Sequence, residues 1–276
     1  MKSDVLILGK GYIGERIQER FGYPIASERI TCFKDAEAVI KTHSPKVIIN
    51  AIGSIGRNVD ACELDKDKTL LAHSFVPIIL AEVAIRNNIK LVHISSGCIF
   101  HFDYKRDKPL EETVQPDFLE LFYSRSKIYS ELPLERLSLR YPILILRIRV
   151  PLDNRNHPKN LLNKLIAFKD TIADLPNSVS YIPDFLSALD HLLKQDCRGV
   201  YNVVNRGALR YAELLDVYKK YVPDFTYQEV DFKKLNIIRT NLILATSKLE
   251  KTGFRTRDIH DVLEECVCGY LGKSCK

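Results

Sequence analysis

Val5-Leu6-Ile7-Leu8-Gly9-Lys10-Gly11-Tyr12-Ile13-Gly14 is the stretch on which the fold of this chain turns. Four consecutive apolar residues closed by glycine read as a short strand buried on both faces of a parallel sheet. The next six residues are GxGxxG, and a helical stretch from Glu15 to Arg20 follows. In that setting the glycines allow a tight turn and close backbone approach. The helix start then offers free N–H groups and a partial positive charge to a pyrophosphate. The motif alone is weak, and the strand before it and the helix after it supply the dinucleotide reading. Gly9, Gly11, Tyr12, Ile13 and Gly14 are the expected cofactor contacts.

The same strand signature recurs in Val47-Ile48-Ile49-Asn50-Ala51, Leu91-Val92-His93-Ile94-Ser95 and Ile143-Leu144-Ile145-Leu146-Arg147. Helical stretches lie between them, at Ala36 to Thr42, Leu70 to Arg86 and Arg125 to Glu135. Strands alternating with helices predict a doubly wound parallel α/β sheet, with its ligand loops along one edge. Asn50 and Ala51, at a strand end on that edge, are counted with the cofactor residues. Residues 1–150 are therefore expected to form the nucleotide-binding (Rossmann) domain. After Pro151 the pattern changes: Asp153 to Lys159 is loop-like, and Leu161 to Phe168 is an amphipathic helix. Val200-Tyr201-Asn202-Val203-Val204 reads as a strand returning to the sheet near 199–205, and Tyr211 to Tyr221 and Ile259 to Tyr270 as further helices. Residues 151–276 are expected to be mostly a smaller, interleaved substrate lobe.

The acidic residue usually found about 20 positions past such a loop has no clear counterpart. Tyr23-Pro24-Ile25-Ala26 reads as the second strand, followed by Ser27-Glu28-Arg29. Ser27 and Arg29 suit a 2′-phosphate and favour NADPH; Glu28 would suit a 2′-hydroxyl and NADH. A solvated turn is the remaining alternative.

Composition fits a globular enzyme, at 46% hydrophobic and 28% charged residues. The net charge of +6 is spread along the chain, which argues against nucleic-acid binding, a function that needs a concentrated patch. No apolar run of about 18 residues and no signal-peptide pattern is evident, so no membrane span and a cytoplasmic setting are expected. The seven cysteines, 32, 62, 98, 197, 266, 268 and 275, lack zinc spacing and read as reduced thiols.

Tyr123-Ser124-Arg125-Ser126-Lys127 lies downstream of Ser95-Ser96-Gly97-Cys98. Tyr123 and Lys127 share a helix face, where an ammonium favours the phenolate form of a neighbouring tyrosine. The phenol can then protonate a ketone oxygen as hydride reaches carbon, with Ser96 supplying a second hydrogen bond. YxxxK by itself also fits a surface helix turn; its place after the third strong strand gives it specificity.

These features resemble the extended short-chain dehydrogenase/reductase superfamily, and within it the dTDP-4-dehydrorhamnose reductases. Cys98, where those reductases usually carry Tyr, and Phe122-Tyr123-Ser124 are similar to the plant-type nucleotide-rhamnose synthase/epimerase-reductases. So are Asn58-Val59-Asp60-Ala61-Cys62-Glu63, Leu146-Arg147-Ile148-Arg149-Val150-Pro151, His157-Pro158-Lys159-Asn160, Ile182-Pro183, Tyr218-Lys219-Lys220-Tyr221 and Pro223-Asp224-Phe225. The resemblance implies epimerisation of UDP-4-dehydro-6-deoxy-D-glucose at C3 and C5, then reduction at C4 by NADPH, giving UDP-L-rhamnose. It implies Cys98 and Lys164 as the proton-moving pair, Tyr123 and Lys127 as cofactor contacts too, and Ser96, Asn160 and Arg239 as sugar-nucleotide contacts. An arginine fork suits diphosphate oxygens. Read without the resemblance, Cys98 also fits a small buried hydrophobe, Lys164 a solvated helix lysine, and Asn160 and Arg239 surface polar residues.

Two departures stand out. The glycine loop is one residue shorter than the superfamily's GxxGxxG, and His73 stands where the superfamily has a helix Asn. No catalytic role is assigned to His73. Alternatives are a 4-reductase alone, on a dTDP- or UDP-sugar, and a non-catalytic nucleotide-binding subunit. With one nucleotide loop in the chain, the preceding 4,6-dehydration is assigned to a partner enzyme. A homodimer is compatible with the sequence and not specified by it.

Overall fold

A computed structural model describes residues 3–53, 56 and 58–274. The chain forms two compact units: Met1–Ile99, Pro116–Arg147 and Leu193–Tyr201 make the first, and Phe100–Gln115, Ile148–Leu192 and Asn202–Lys276 the second. The sequence places one boundary near residue 150, with a strand near 199–205 returning to the first domain. In the fold the returning segment is residues 193–201, and residues 100–115, on the other side of the expected boundary, belong with the second unit.

The first unit runs β1 (Val5–Leu8), α1 (Tyr12–Phe21), β2 (Ile25–Ala26), α2 (Phe33–His43), β3 (Val47–Asn50), α3 (Ala61–Leu64) and α4 (Lys66–Leu70). A π-helical turn, Leu71–Phe75, joins α4 to α5 (Val76–Arg86). Then come β4 (Lys90–Ser96), α6 (Phe122–Ser138), β5 (Ile143–Ile148) and, much later in the chain, β9 (Gly199–Asn202). The six strands form one sheet in the order β2-β1-β3-β4-β5-β9, a doubly wound parallel α/β arrangement, so the late strand does return to the sheet edge. β1 pairs in parallel with β3 from Val5 opposite Val47 to Leu8 opposite Asn50, and β3 pairs in parallel with β4 from Val47 opposite Lys90. This register brings the ends of β1 and β3 level with each other and with His93, three residues before β4 ends at Ser96.

Each strand of the sequence reading lands within a residue or two of its place, because an unbroken apolar run demands burial on both faces. β4 and β5 are buried along their whole length. α1 starts earlier than the periodic stretch, at Tyr12, since Gly11 is its N-cap. One expectation is corrected: Lys66–Arg86 is, by length and composition, a helix long and apolar enough to cross a membrane. Half of its apolar window is buried in the fold, and Val76, Leu80, Ala81, Val83 and Ala84 pack into the core with Leu6, Ile48 and Leu91. It is a core helix. The six described cysteines are all free thiols.

The second unit contains β6 (Pro151–Leu152), α7 (Leu161–Ala167), β7 (Ile172–Ala173), β8 (Ser180–Tyr181), α8 (Ile182–Lys194), α9 (Tyr211–Tyr221), β10 (Glu229–Val230), α10 (Ser247–Glu250) and α11 (Leu263–Leu271). β6 pairs with β8 and β7 with β10. Its core joins Leu161, Leu162 and Leu165 of α7 to Leu214, Leu215 and Tyr218 of α9 and Cys266 and Val267 of α11.

Candidate active site

Two of the three loop glycines are dictated by the backbone, and the third leaves room. Gly9 has φ of +107°, and a Cβ there would stand 2.7 Å from the Ala51 carbonyl. A Cβ on Gly14 would stand 2.1 Å from the Gly9 oxygen. Around Gly11 no heavy atom lies within 4 Å of an added Cβ, and as N-cap it gives α1 no side-chain bond. The loop thus packs tightly against the chain after β3 and opens at the helix start, which suits a pyrophosphate. Tyr12 is buried and Ile13 half-buried. Ala51 takes its place through backbone, its N–H donating to the Leu8 carbonyl at 2.8 Å.

Asn50 is wholly buried, its amide nitrogen bonded to His93 Nδ1 (3.1 Å) and its amide oxygen accepting from the Ile52 N–H (3.1 Å). It shapes the loop after β3. Past β2, Ser27 and Arg29 are exposed. Glu28 is engaged by His43 at 3.0 Å, and that bond holds its carboxyl below the usual range.

Ser96, Cys98 and Tyr123 are drawn together by backbone bonds. The Cys98 N–H donates to Ser96 Oγ at 3.1 Å, a bond that uses a lone pair and leaves the Ser96 hydroxyl hydrogen to be given elsewhere. Ser124, next to Tyr123, donates from its own hydroxyl to the Cys98 carbonyl at 2.6 Å. The first turn of α6 lacks a cap from its own N-cap residue, Leu121, and the Glu63 carboxylate of α3 accepts from the Phe122 N–H instead, at 2.6 Å. Tyr123 and Cys98 are half-buried, whereas Ser96 and Lys127 are buried.

Lys127 is enclosed by polar groups. Burial lowers its ammonium to about 8, against the opposing pull of the Glu131 carboxylate one turn along α6. Glu131 is itself fully buried, accepts from Arg147 Nε at 2.7 Å, and also takes the Ser95 hydroxyl. His73 and His93 lie in the same surroundings. Burial, with the Lys127 charge second, depresses both, so each imidazole is neutral. His93 Nε2 is a buried atom with no hydrogen-bond partner among the described residues. The sequence reading passed over Ser124, His93, Glu131 and Arg147. A signal existed for two of them: in fully buried strands, His93 sits among Leu91, Val92 and Ile94, and Arg147 is the one polar residue of β5.

In the second unit Lys164 is half-buried on α7. Asn160, expected to meet the sugar nucleotide, is consumed by its own fold. Its amide oxygen accepts from the Asp153 N–H (3.1 Å) and the Leu162 N–H (3.3 Å), and its amide nitrogen donates to the Asp153 (2.8 Å) and Arg155 (2.7 Å) carbonyls. Those four bonds are the full capacity of an amide side chain, so Asn160 caps α7 and has nothing left for a ligand. Arg239 is half-buried, in a segment held by buried Arg149, which donates to Thr240 Oγ1 (2.9 Å), the Thr240 carbonyl and Asn177 Oδ1 (2.9 Å). Arg149 is the positioning residue that the reading of this unit missed.

Comparison with known proteins gives the family. The family model "RmlD substrate binding domain" matches residues 9–215. A bifunctional dTDP-4-dehydrorhamnose 3,5-epimerase/dTDP-4-dehydrorhamnose reductase of Arabidopsis thaliana is 30% identical over 261 residues, covering 90% of this chain and 83% of that protein. A trifunctional UDP-glucose 4,6-dehydratase/UDP-4-keto-6-deoxy-D-glucose 3,5-epimerase/UDP-4-keto-L-rhamnose-reductase of the same plant is 29% identical over 89% of this chain. The chain spans only 37% of that relative's length. Among solved structures, the UDP-rhamnose synthase of Acanthamoeba polyphaga mimivirus has the same fold (TM-score 0.87, 23% identity, 96% of this chain and 99% of that one). With three quarters of its length under one family model and with relatives named for the reductase and synthase steps of rhamnose formation, the chain belongs to the RmlD substrate-binding-domain family.

Proposed function

We propose that the protein is a bifunctional 3,5-epimerase/4-reductase that converts UDP-4-dehydro-6-deoxy-D-glucose to UDP-L-rhamnose. The observation that carries this reading is the bracketing of Cys98. Its N–H is held by Ser96 and its carbonyl by Ser124, so a half-exposed thiol shares one strand end with the carbonyl-polarising hydroxyl and adjoins Tyr123 in the bonding chain. NADPH, when bound, supplies the hydride for C4. The glycine loop suits its pyrophosphate, and exposed Arg29 and Ser27 suit its 2′-phosphate, while Glu28 is already engaged by His43.

The chemistry follows from the residues. Protons on the carbons flanking a C4 ketone are acidified. The Cys98 thiolate takes one, and the Ser96 and Tyr123 hydroxyls hold the enolate oxygen so formed. The Lys164 ammonium returns a proton on the opposite face. With both centres inverted, Tyr123 gives its phenolic proton to the C4 oxygen, and the nearby Lys127 ammonium steadies the phenolate left behind. Arg239 is assigned to the diphosphate of the sugar nucleotide. The keto sugar is supplied by a 4,6-dehydratase, and the reduced thiols suit a cytoplasmic setting.

The test is proton exchange. Incubated in D2O with the UDP- or dTDP-linked 4-keto-6-deoxyglucose and without NADPH, the protein should place deuterium at C3 and C5. Cys98→Ala should stop that exchange while sparing reduction of substrate already epimerised. No deuterium with either nucleotide leaves a 4-reductase alone. No NADPH oxidation with either the keto sugar or the pre-epimerised substrate would leave a nucleotide-binding subunit.

A further inference from the structure

His73 is a buried group for which this mechanism has no use. Its position originates in Pro77, which has no N–H and whose ring crowds the carbonyl four residues earlier, that of His73. The helix widens there into the π turn Leu71–Phe75, and the Val76 N–H reaches back five residues to the Leu71 carbonyl. Such turns are rare and cluster at functional sites. The wide turn presents two consecutive side chains to one neighbour on α6. Ser74 Oγ donates to the Ser126 carbonyl at 2.6 Å, and His73 Nδ1 meets Ser126 Oγ at 3.0 Å. Ser126 Oγ donates in turn to the Tyr123 carbonyl at 2.8 Å.

That chain assigns the tautomer. With the Ser126 hydroxyl hydrogen already given to Tyr123, His73 Nδ1 must be the donor. The imidazole ring also stands edge-on to the Tyr123 ring, with centroids 5.4 Å apart and planes at 88°, a favoured aromatic arrangement. His73 therefore touches Tyr123 in two ways, through the backbone by way of Ser126 and directly through the ring.

We infer that His73 is a positioning residue for the Tyr123–Lys127 pair: the π turn clamps the first turn of α6 through Ser126 and sets the orientation of the Tyr123 ring. The inference rests on the carbonyl-reduction reading above, and its test separates the two. Asn at 73 keeps an N–H where Nδ1 stands but has no ring, and Phe keeps a ring but no N–H. His73→Ala and His73→Phe should lower kcat for NADPH-dependent reduction about 10- to 100-fold, with both KM values held within about twofold and His73→Asn recovering most of the loss, since a misplacement near 1 Å costs rate of that order. The second readout needs no turnover. In protein labelled with 13Cζ-tyrosine, the Tyr123 resonance, assigned with Tyr123→Phe, should shift or broaden in His73→Ala and return near its native position in His73→Asn. Wild-type protein that fails to reduce the sugar removes the functional reading alone, because the Tyr123 resonance still decides the role of His73. An unchanged kcat and Tyr123 resonance in His73→Ala, or equal kcat in the Asn and Phe variants, would overturn the inference. If His73→Ala does not fold, the Asn and Phe variants carry the test by themselves.

Discussion

The two units treat their polar side chains differently. In the first, the hydroxyl at the end of β4 is held through a backbone bond that leaves its donor to give. Ser96 accepts from Cys98 and keeps its hydroxyl hydrogen, and Gly11 opens onto empty space. In the second, Asn160 spends its whole amide on its own fold, and Arg149 is bonded to Asn177 and Thr240. The lesson is that a polar residue matching a family's segment has to be asked what it already holds.

That contrast can be broken by substitution, beginning where the largest effect is expected. Tyr123→Phe removes the proton donor and nothing from the core, and should lower the reduction rate about 10²- to 10⁴-fold at unchanged melting temperature. A rate near wild type would move the carbonyl chemistry elsewhere. Next, Gly14→Ala drives a Cβ into the Gly9 carbonyl and should cost about 1–3 kcal/mol of stability in denaturant unfolding. Gly11→Ala meets nothing, so it should leave stability intact and weaken only NADPH binding, measured by fluorescence titration.

The pH dependence gives a third test. Burial holds folded Lys127 at about 8, below the usual lysine value near 10.5, so the ammonium is lost as pH rises through about 8. kcat for reduction should fall along that limb, and the limb should vanish in Lys127→Ala. The stability consequence has the opposite sign. Between about 8 and 10.5 the unfolded chain binds the extra proton, so the cost of burying this charge is fully present below 8 and relieved as pH rises. The smallest effect belongs to Asn160→Ala, which should cost about 0.5–2 kcal/mol of stability as a lost helix cap and leave the KM for the sugar nucleotide unchanged. A raised KM at full stability would return Asn160 to the binding site and erase the contrast between the units.

What could be read from the sequence was what is local along the chain. The glycine loop, the fully buried strands and the four-residue spacing of Tyr123 and Lys127 are settled within one or two turns, so their chemistry shows in a short window. The environment of Lys127 is not local. His73 meets Ser126 across 53 residues and Asn50 meets His93 across 43, contacts that only the packed sheet brings about. The π turn lies between, since Pro77 disturbs the helix but nothing in the sequence says which way the helix gives. Asn160 is the opposite case: an Asn directly before the Leu161-Leu162 start of a helix is itself an N-cap signal, and the resemblance of its segment to a family drew attention away from it.

The chain crosses between its two units five times, at 99/100, 115/116, 147/148, 192/193 and 201/202. No single cut in the gene releases either one. A chimaera that takes one unit from each of two relatives must therefore exchange residues 100–115, 148–192 and 202–276 as one set. A fusion at residue 150, the obvious junction in the linear sequence, would leave the nucleotide sheet without β9 and the other half without residues 100–115. For anyone recombining members of this family, the module is a set of three segments and not a half of the gene.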